Sequence, residues 1–296
     1  MDKGDLILSE STGSTALTNT GPSIGAILID AGRLKAEDAE VILRMQREHR
    51  LPFGDAAMRL GLLSRADIDF ALALQFDYPY LQRGHSAVSE QVIAAYAPFT
   101  PQVEALRALR SQLMLRWFSL DPAHKALAIV SAERKEGRSF IASNLAVVFS
   151  QLGERTLLID ADMRNPCQHL LFGLDNRVGL SAILSGRGGR EALHRVPSLR
   201  DLSVLPAGAL PPNPSELIAR PMLPQLLREL AREFDVILLD TPAAGDSADA
   251  LASSMHARSA LIVVRKDAAH SWRVRGIADG AAQTSTTIVG TVLNDY

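Results

Sequence analysis

Ser131-Ala132-Glu133-Arg134-Lys135-Glu136-Gly137-Arg138-Ser139 follows an apolar run, Ala126 to Ser131. It leads into Ser139 to Leu152, where Ile141, Leu145, Val148, Phe149 and Leu152 fall at helical spacing and Gly153 supplies the stop. Strand, glycine-containing loop and helix in that order build a phosphate-binding loop, because main-chain N–H groups and the helix N-terminus then face one anion. Set against G-x-x-x-x-G-K-[ST], the first position is Ala132, the glycine is Gly137, the lysine is replaced by Arg138 and the hydroxyl is Ser139. By itself that match is weak. Two further stretches strengthen it: Leu157-Leu158-Ile159-Asp160-Ala161-Asp162-Met163-Arg164 and Val236-Ile237-Leu238-Leu239-Asp240-Thr241-Pro242. An aspartate at the C-terminal end of a parallel strand lies where such sheets place ligands. Two of them beside a phosphate loop imply Mg2+ held against a nucleotide, since Mg2+ takes few carboxylates and shares the phosphates.

Outward from this loop the pattern alternates. Strands are expected at Ala126–Ser131, Thr156–Asp160, Leu202–Leu205, Val236–Asp240, Ala260–Val264 and Ile288–Leu293, with helical stretches among them. The class is therefore α/β, with a parallel sheet covered on both faces. A dinucleotide-binding Rossmann domain is excluded at its key loop, because no G-x-G-x-x-G follows the first strand. The 296 residues suffice for one medium domain and a small one, and 47% hydrophobic content supports a core. A net charge of −2 argues against a general nucleic-acid binder, so no nucleic-acid partner is expected. The single cysteine, Cys167, excludes an internal disulfide and fits a reducing cytosol. No apolar stretch reaches the roughly 18 residues of a transmembrane helix. Residues 1–22, rich in Ser, Thr and Gly, read as a disordered arm.

Residues 24–46 and 53–75 repeat each other at an offset of 29: Gly25 pairs with Gly54, Gly32 with Gly61, Leu34 with Leu63, Asp38 with Asp67, Leu43 with Leu72 and Gln46 with Gln75. Each copy reads as a short apolar helix, a glycine stop and a second helix, with Ser64 and Asp67 as an N-cap signal. This small, mainly helical tandem-motif domain, 23–82, resembles the N-terminal domain of type II secretion and pilus ATPases, whose motif opens Arg-Leu-Gly and binds cyclic di-GMP in some members. Here the openings are Ser23-Ile24-Gly25 and Pro52-Phe53-Gly54, so both arginine forks are missing. A docking or scaffolding role is favoured over dinucleotide sensing.

Residues 83–124 read as a linker and a helix from Pro101 toward Phe118, on which Glu104, Arg107 and Arg110 stand three apart on one face. With those residues the resemblance becomes specific. The loop, the Leu-Ile-Asp-x-Asp-x-Arg stretch, the Asp-Thr-Pro ending, Glu-x-x-Arg-x-x-Arg ahead of the domain, Asn165-Pro166 through His169, Gly179-Leu180-Ser181, Pro212 to Leu217 and Val292-Leu293-Asn294 are similar to the bacterial tyrosine kinases of exopolysaccharide and capsule assembly, in the chain-length-determinant autokinase branch. The likeness covers roughly 101 to 294. It implies a P-loop tyrosine-kinase domain over 125–296 of the deviant Walker type, and ATP and Mg2+ as cofactors. It further implies a ring-like homo-oligomer joined through Glu104, Arg107 and Arg110, a transmembrane chain-length-determinant partner that activates it, and a place at the cytoplasmic face of the membrane. Carried over, Ala132, Lys135, Glu136, Gly137, Arg138, Ser139 and Phe140 form the nucleotide loop. Asn294 touches the adenine. Ser139, Asp162 and Asp240 serve the metal, with Asp240 acting through water. Asp160 is the base for the tyrosine hydroxyl, and Arg164 contacts a neighbouring subunit or the phosphates.

Three departures separate this sequence from that pattern. Arg138 replaces lysine, keeping the charge but not its compact form. Lys135 stands where the family has glycine, so a positive φ there would cost about 1 kcal/mol or more. The family's tyrosine-rich tail is reduced to Tyr296, the expected phosphoacceptor. Three readings of different class follow: an active autokinase, an ATP-binding regulatory subunit of the export complex with little kinase activity, and a partitioning-type ATPase. The last carries a lysine five residues before the P-loop lysine, where this chain has Glu133.

Overall fold

The computed structural model describes residues 23–75 and 80–295; the arm 1–22 and Tyr296 lie outside them. The chain divides into two compact units, Met1–Asp77 and Tyr78–Tyr296.

The first unit is built from α1 (Ile24–Asp30), α2 (Ala36–His49), α3 (Phe53–Arg59) and α4 (Arg65–Gln75). Gly32 and Gly61, matching positions of the two copies, both take positive φ (+68° and +69°) just past the first helix of their copy, the turn that a residue without Cβ makes at least cost. The capping box forms: Ser64 N–H donates to Asp67 Oδ2 (3.0 Å), and Asp67 N–H donates to Ser64 Oγ (3.2 Å). The copies pack crosswise, α1 on α4 and α2 on α3. Leu28, Ile42, Ala56, Ala57 and Ala71 are fully buried between them. At the openings of the two copies, Ser23 caps α1 by accepting from Ala26 N–H (3.3 Å) and Pro52 precedes α3.

The second unit opens with α5 (Ile93–Tyr96), α6 (Pro101–Leu113) and a π-helical turn at Met114–Phe118. Its sheet comprises β1 (Ala126–Ser131), β2 (Thr156–Asp160), β3 (His194–Arg195), β4 (Leu202–Leu205), β5 (Val236–Asp240), β6 (Ser259–Arg265) and β7 (Thr287–Asn294), in the order β3-β4-β2-β5-β1-β6-β7. All pairs are parallel except β3–β4. The expected strands are all present. The short antiparallel β3 was not foreseen, because two residues give no periodicity to read. Leu127 and Ile129 face α7 (Arg138–Ser150), whose Leu145 and Phe149 are fully buried. Ala128 and Val130 face the opposite layer with Leu226 and Leu230 of the helix Met222–Leu230. Covering both faces explains the unbroken apolar runs of β1, β2 and β5.

Residues 83–124, expected as linker and oligomerisation helix, are part of this core. Val88, Val92, Tyr96, Val103, Trp117 and Phe118 share one apolar cluster with Ile129 and Phe149. The buried amide of Asn144 on α7 accepts from Ala94 N–H (2.9 Å) and donates to Gln91 O (3.3 Å), fixing the segment. Among the described residues no helix is long and apolar enough to cross a membrane.

The sheet begins with a clamp between the starts of β2 and β5. Arg155 Nε and Nη2 donate to Asp235 Oδ2 (2.8 Å) and Oδ1 (2.7 Å), and Asp235 N–H donates to Arg155 O (2.8 Å). The Arg155 hydrogen bonds hold the Asp235 carboxyl down at about 2, from 3.8. A folded-state pKa below the unfolded value stabilises the fold above about pH 4, and that contribution fades as pH falls toward 2. Asp235→Asn should therefore melt lower than the parent near neutral pH. The gap should narrow through the acid range when melting temperature is followed against pH.

Candidate nucleotide and phosphotransfer site

Three strand ends meet at the centre of the sheet. β2 and β5 pair in register, Asp160 against Asp240, and β1 lies beside β5 and ends at Ser131. The chain passes from β1 to β2 across β5, so the loop after β1 and the two aspartates open onto one crevice at the carboxyl ends of the strands.

The loop has the shape its sequence implies. Gly137 adopts φ +91° and caps α7. A Cβ there would stand 2.1 Å from Asn294 Nδ2, so a side chain at this position is opposed by the backbone conformation and also requires the Asn294 side chain to move. Asn294 Nδ2 donates to Glu136 O (3.0 Å), tying the end of β7 to the loop. Lys135, exposed, takes φ +63°, which costs a residue with a Cβ about 1–2 kcal/mol. The loop thus places a side-chain-bearing residue in the left-handed region two positions before Gly137. Glu136 is buried and accepts from Glu133 N–H (2.9 Å), and Arg134 reaches Asp246 Oδ2 (2.5 Å). The segment after β5 is laced to the loop's start: Ala244 N–H donates to Ser131 O and Gly245 N–H to Ala132 O, both at 2.9 Å.

The aspartates differ in their surroundings. Asp160 is fully buried. Its Oδ2 accepts from the N–H groups of Cys167 and Gln168, both at 2.9 Å, and its Oδ1 from Asp162 N–H (3.2 Å). Burial first, then the charge of Asp240, pushes its carboxyl well above the usual range. Asp240 is also raised by burial, with Arg138, Gln168 and Ser139 pulling the other way. Asp162 Oδ1 accepts from Arg164 N–H (3.2 Å) and Asn165 N–H (2.9 Å), while its Oδ2 turns inward. Arg138 lies among them, donating to Ser131 Oγ (2.7 Å), Asp162 Oδ2 (3.3 Å) and Asp240 Oδ1 (3.3 Å).

Sequence reasoning missed Gln168. It is fully buried, and its Nε2 donates to Asp240 Oδ2 (2.8 Å) and Ser139 O (3.2 Å), joining the strand end to α7. It also missed Asp249, a buried carboxylate that accepts from Arg164 Nε (3.2 Å); Arg164 also reaches Ser215 Oγ (2.8 Å). Arg164 thus binds within its own chain. A buried residue far away in sequence carries no local signal, although Gln168 stands inside the Asn165–His169 stretch already singled out. Cys167 Sγ lies 3.9 Å from Asp240 Oδ2, and burial with the nearby carboxylates pushes its thiol up to about 12, which leaves it protonated and unreactive at neutral pH. Ser139, Phe140, Cys167, Leu170 and Leu171 border a cavity of about 250 Å3 beside the loop. A larger open hollow of about 480 Å3, by Leu43, Arg47 and Leu51 of the first unit, contains none of these residues.

Comparison with known proteins bears on this arrangement. A family model described as "ParA: NUBPL iron-transfer P-loop NTPase" matches residues 123–295. The tyrosine-protein kinase YwqD of Bacillus subtilis is 32% identical over 209 residues, 71% of this chain and 87% of that protein. This chain belongs to the bacterial tyrosine-kinase family of P-loop NTPases. The kinase domain of the Escherichia coli tyrosine kinase ETK is 30% identical with TM-score 0.66, over 74% of this chain and 85% of that one. The chimerical protein CapA2B2 is 32% identical with TM-score 0.65, over 75% and 96%.

Against that family's pattern, α6 shows Arg107 paired with Glu104 of the same helix and Arg110 Nη1 donating to Val148 O of α7 (2.7 Å). The Glu104 side chain is the outward one, 61% exposed. Tyr296 lies outside the described residues. Trp117 is a packing residue, donating to Ala126 O (3.1 Å), whereas Trp272 is 67% exposed.

Gly137→Ala should lower the melting temperature and weaken ADP binding by at least about tenfold, because both the positive φ and the Asn294 side chain oppose a Cβ. Adding Asn294→Ala should restore part of the melting temperature but not the ADP affinity, since it relieves the close contact while removing a residue read as touching the adenine. Calorimetry with ADP on the three proteins measures this, and parent-like binding by Gly137→Ala would contradict the loop geometry.

Proposed function

We propose that this chain is an ATP-dependent protein-tyrosine autokinase acting in exopolysaccharide polymerisation, chain-length control and export. The observation that carries the reading is the convergence of Ser139, Asp160, Asp162 and Asp240 on a phosphate loop, in a chain of this family. Phosphoryl transfer needs positioning and charge neutralisation more than covalent chemistry. The loop N–H groups from Lys135 to Ser139 would hold the phosphates, with Ala132 and Phe140 at the loop's two ends and Asn294 against the adenine. Ser139, Asp162 and Asp240 offer the hard oxygen donors that Mg2+ prefers. Mg2+ completes its shell with phosphate oxygens and water, so few protein carboxylates are needed. Bound there, Mg2+ would neutralise phosphate charge. Asp160, with its raised proton affinity, suits the role of base toward the tyrosine hydroxyl. Gln168 would position Asp240 and the start of α7.

The same reading places the chain at the cytoplasmic face of the membrane through a transmembrane chain-length-determinant partner, and in a ring joined through the α6 face that bears Glu104, Arg107 and Arg110. A ring is a head-to-tail contact that closes, presenting one subunit's Tyr296 to the next subunit's site. Glu104→Lys should yield monomers by light scattering where the parent assembles, and an unchanged mass would remove α6 from the interface.

A second reading, a regulatory ATP-binding subunit with little kinase activity, is favoured by the strained Lys135 and by the engagement of Arg138 with both carboxylates. One experiment separates the two. Protein incubated with ATP and Mg2+, with and without the cytoplasmic part of its membrane partner, is mapped for phosphotyrosine by mass spectrometry. The autokinase is expected to carry phosphate on Tyr296, lost in Tyr296→Phe and Asp160→Asn. Phosphate only on Tyr78, Tyr80 or Tyr96 would overturn the tail assignment, and none anywhere would favour the regulatory subunit.

A further inference from the structure

The three donor nitrogens of Arg138 each reach a different partner. Nη1 contacts Ser131 at the end of β1, Nη2 contacts Asp162 beyond β2, and Nε contacts Asp240 at the end of β5. The side chain is only 9% exposed and Asp240 is fully buried. Ser131 is oriented for this: its hydroxyl donates to Glu133 O (2.9 Å), leaving a lone pair for the guanidinium. At 2.7 Å this is the tightest of the three contacts, so Ser131 anchors the arginine and the two carboxylates lie at its looser ends. A lysine could not span these acceptors, because an ammonium is a point charge rather than a planar fork.

From this geometry we infer that Arg138 is an internal counter-cation for the metal-binding carboxylates and sets how much Mg2+ the nucleotide site requires. The inference rests on the reading of Ser139, Asp162 and Asp240 as the Mg2+–nucleotide site. Asp162 Oδ2 and Asp240 Oδ1 are the carboxylate oxygens that would serve the ion, and both are engaged by Arg138. Occupation by arginine and by metal therefore compete, and the apparent affinity for Mg2+ falls with the fraction of molecules in which the bridge is closed. Once displaced, the guanidinium is free to take a phosphate oxygen in a charge-assisted hydrogen bond. The lysine-to-arginine change thus acts as a threshold on metal admission rather than as a simple conservation of charge.

The test uses the full chain and two readouts that need no kinase activity. Melting temperature is measured in EDTA and in millimolar Mg2+ without nucleotide for the parent and Arg138→Met. The parent should be insensitive to Mg2+. Arg138→Met should melt lower in EDTA, because its buried carboxylates have lost their cation, and should recover when Mg2+ is added. Binding of a fluorescent ADP is then titrated with Mg2+ for the parent and Ser131→Ala, which loosens the anchor without touching a metal donor. Losing a hydrogen bond to a charged group should lower the half-saturating Mg2+ concentration of Ser131→Ala about tenfold. Equal Mg2+ midpoints in these two proteins, or stabilisation of the parent by Mg2+ alone as large as that of Arg138→Met, would overturn the inference while leaving the nucleotide site intact. If Arg138→Met does not fold, the Ser131→Ala comparison decides. Failure of the parent to bind ADP at any Mg2+ concentration would refute the underlying reading, and the inference with it.

Discussion

Two carboxylates held side by side in a dry sheet are the constraint around which the second unit is arranged. Asp160 and Asp240 face each other in register on β2 and β5, both without exposure to solvent. Neighbouring strands lie about 4.8 Å apart, close enough for each carboxylate to disfavour the charge of the other. Each is made tolerable in its own way. Asp160 is satisfied by main-chain N–H groups where the chain turns from β2 into the helix Gln168–Phe172. Asp240 is satisfied by the side chains of Gln168 and Arg138. The path of the chain after β2, the burial of Gln168 and the inward course of Arg138 all answer to this one electrostatic demand.

The parts of this arrangement that were legible in the sequence are those that depend on neighbours in the chain. Gly137, Arg138 and Ser139 stand between an apolar run and a helical period, and Asp160 and Asp240 close apolar runs, so loop, strands and their common edge could be read directly. What could not be read depends on where side chains go across the fold. The spacing of Glu104, Arg107 and Arg110 gives one face of a helix, but not that Arg110 reaches Val148 or that Val103 and Leu106 are buried. The weak pattern of residues 84–100, with a single proline at Pro98, suggests a connector, whereas Asn144, some fifty residues later, holds that segment into the core. Arg138 was legible as a change of residue type but not as a bridge, since its partners come from three separate strand ends.

The loop holds two left-handed residues of different kinds. Lys135 adopts the left-handed conformation that a glycine would take freely, and Gly137 alone keeps the close approach to Asn294. Lys135 is exposed and meets only a conformational penalty, whereas a Cβ on Gly137 would meet a neighbouring side chain as well. A strained but open position accepts substitution at a modest cost in stability. A crowded one does not.

The crosswise packing of the first unit has a consequence for how this chain can be divided. The short helix of each copy lies on the long helix of the other, so neither copy covers its own apolar face. Cutting between the copies, near Arg50, would expose both halves of the interior at once. Two fragments cut there would regain a core only by finding each other, or by pairing with a second fragment of their own kind. The repeat is therefore a unit of sequence but not a unit of folding.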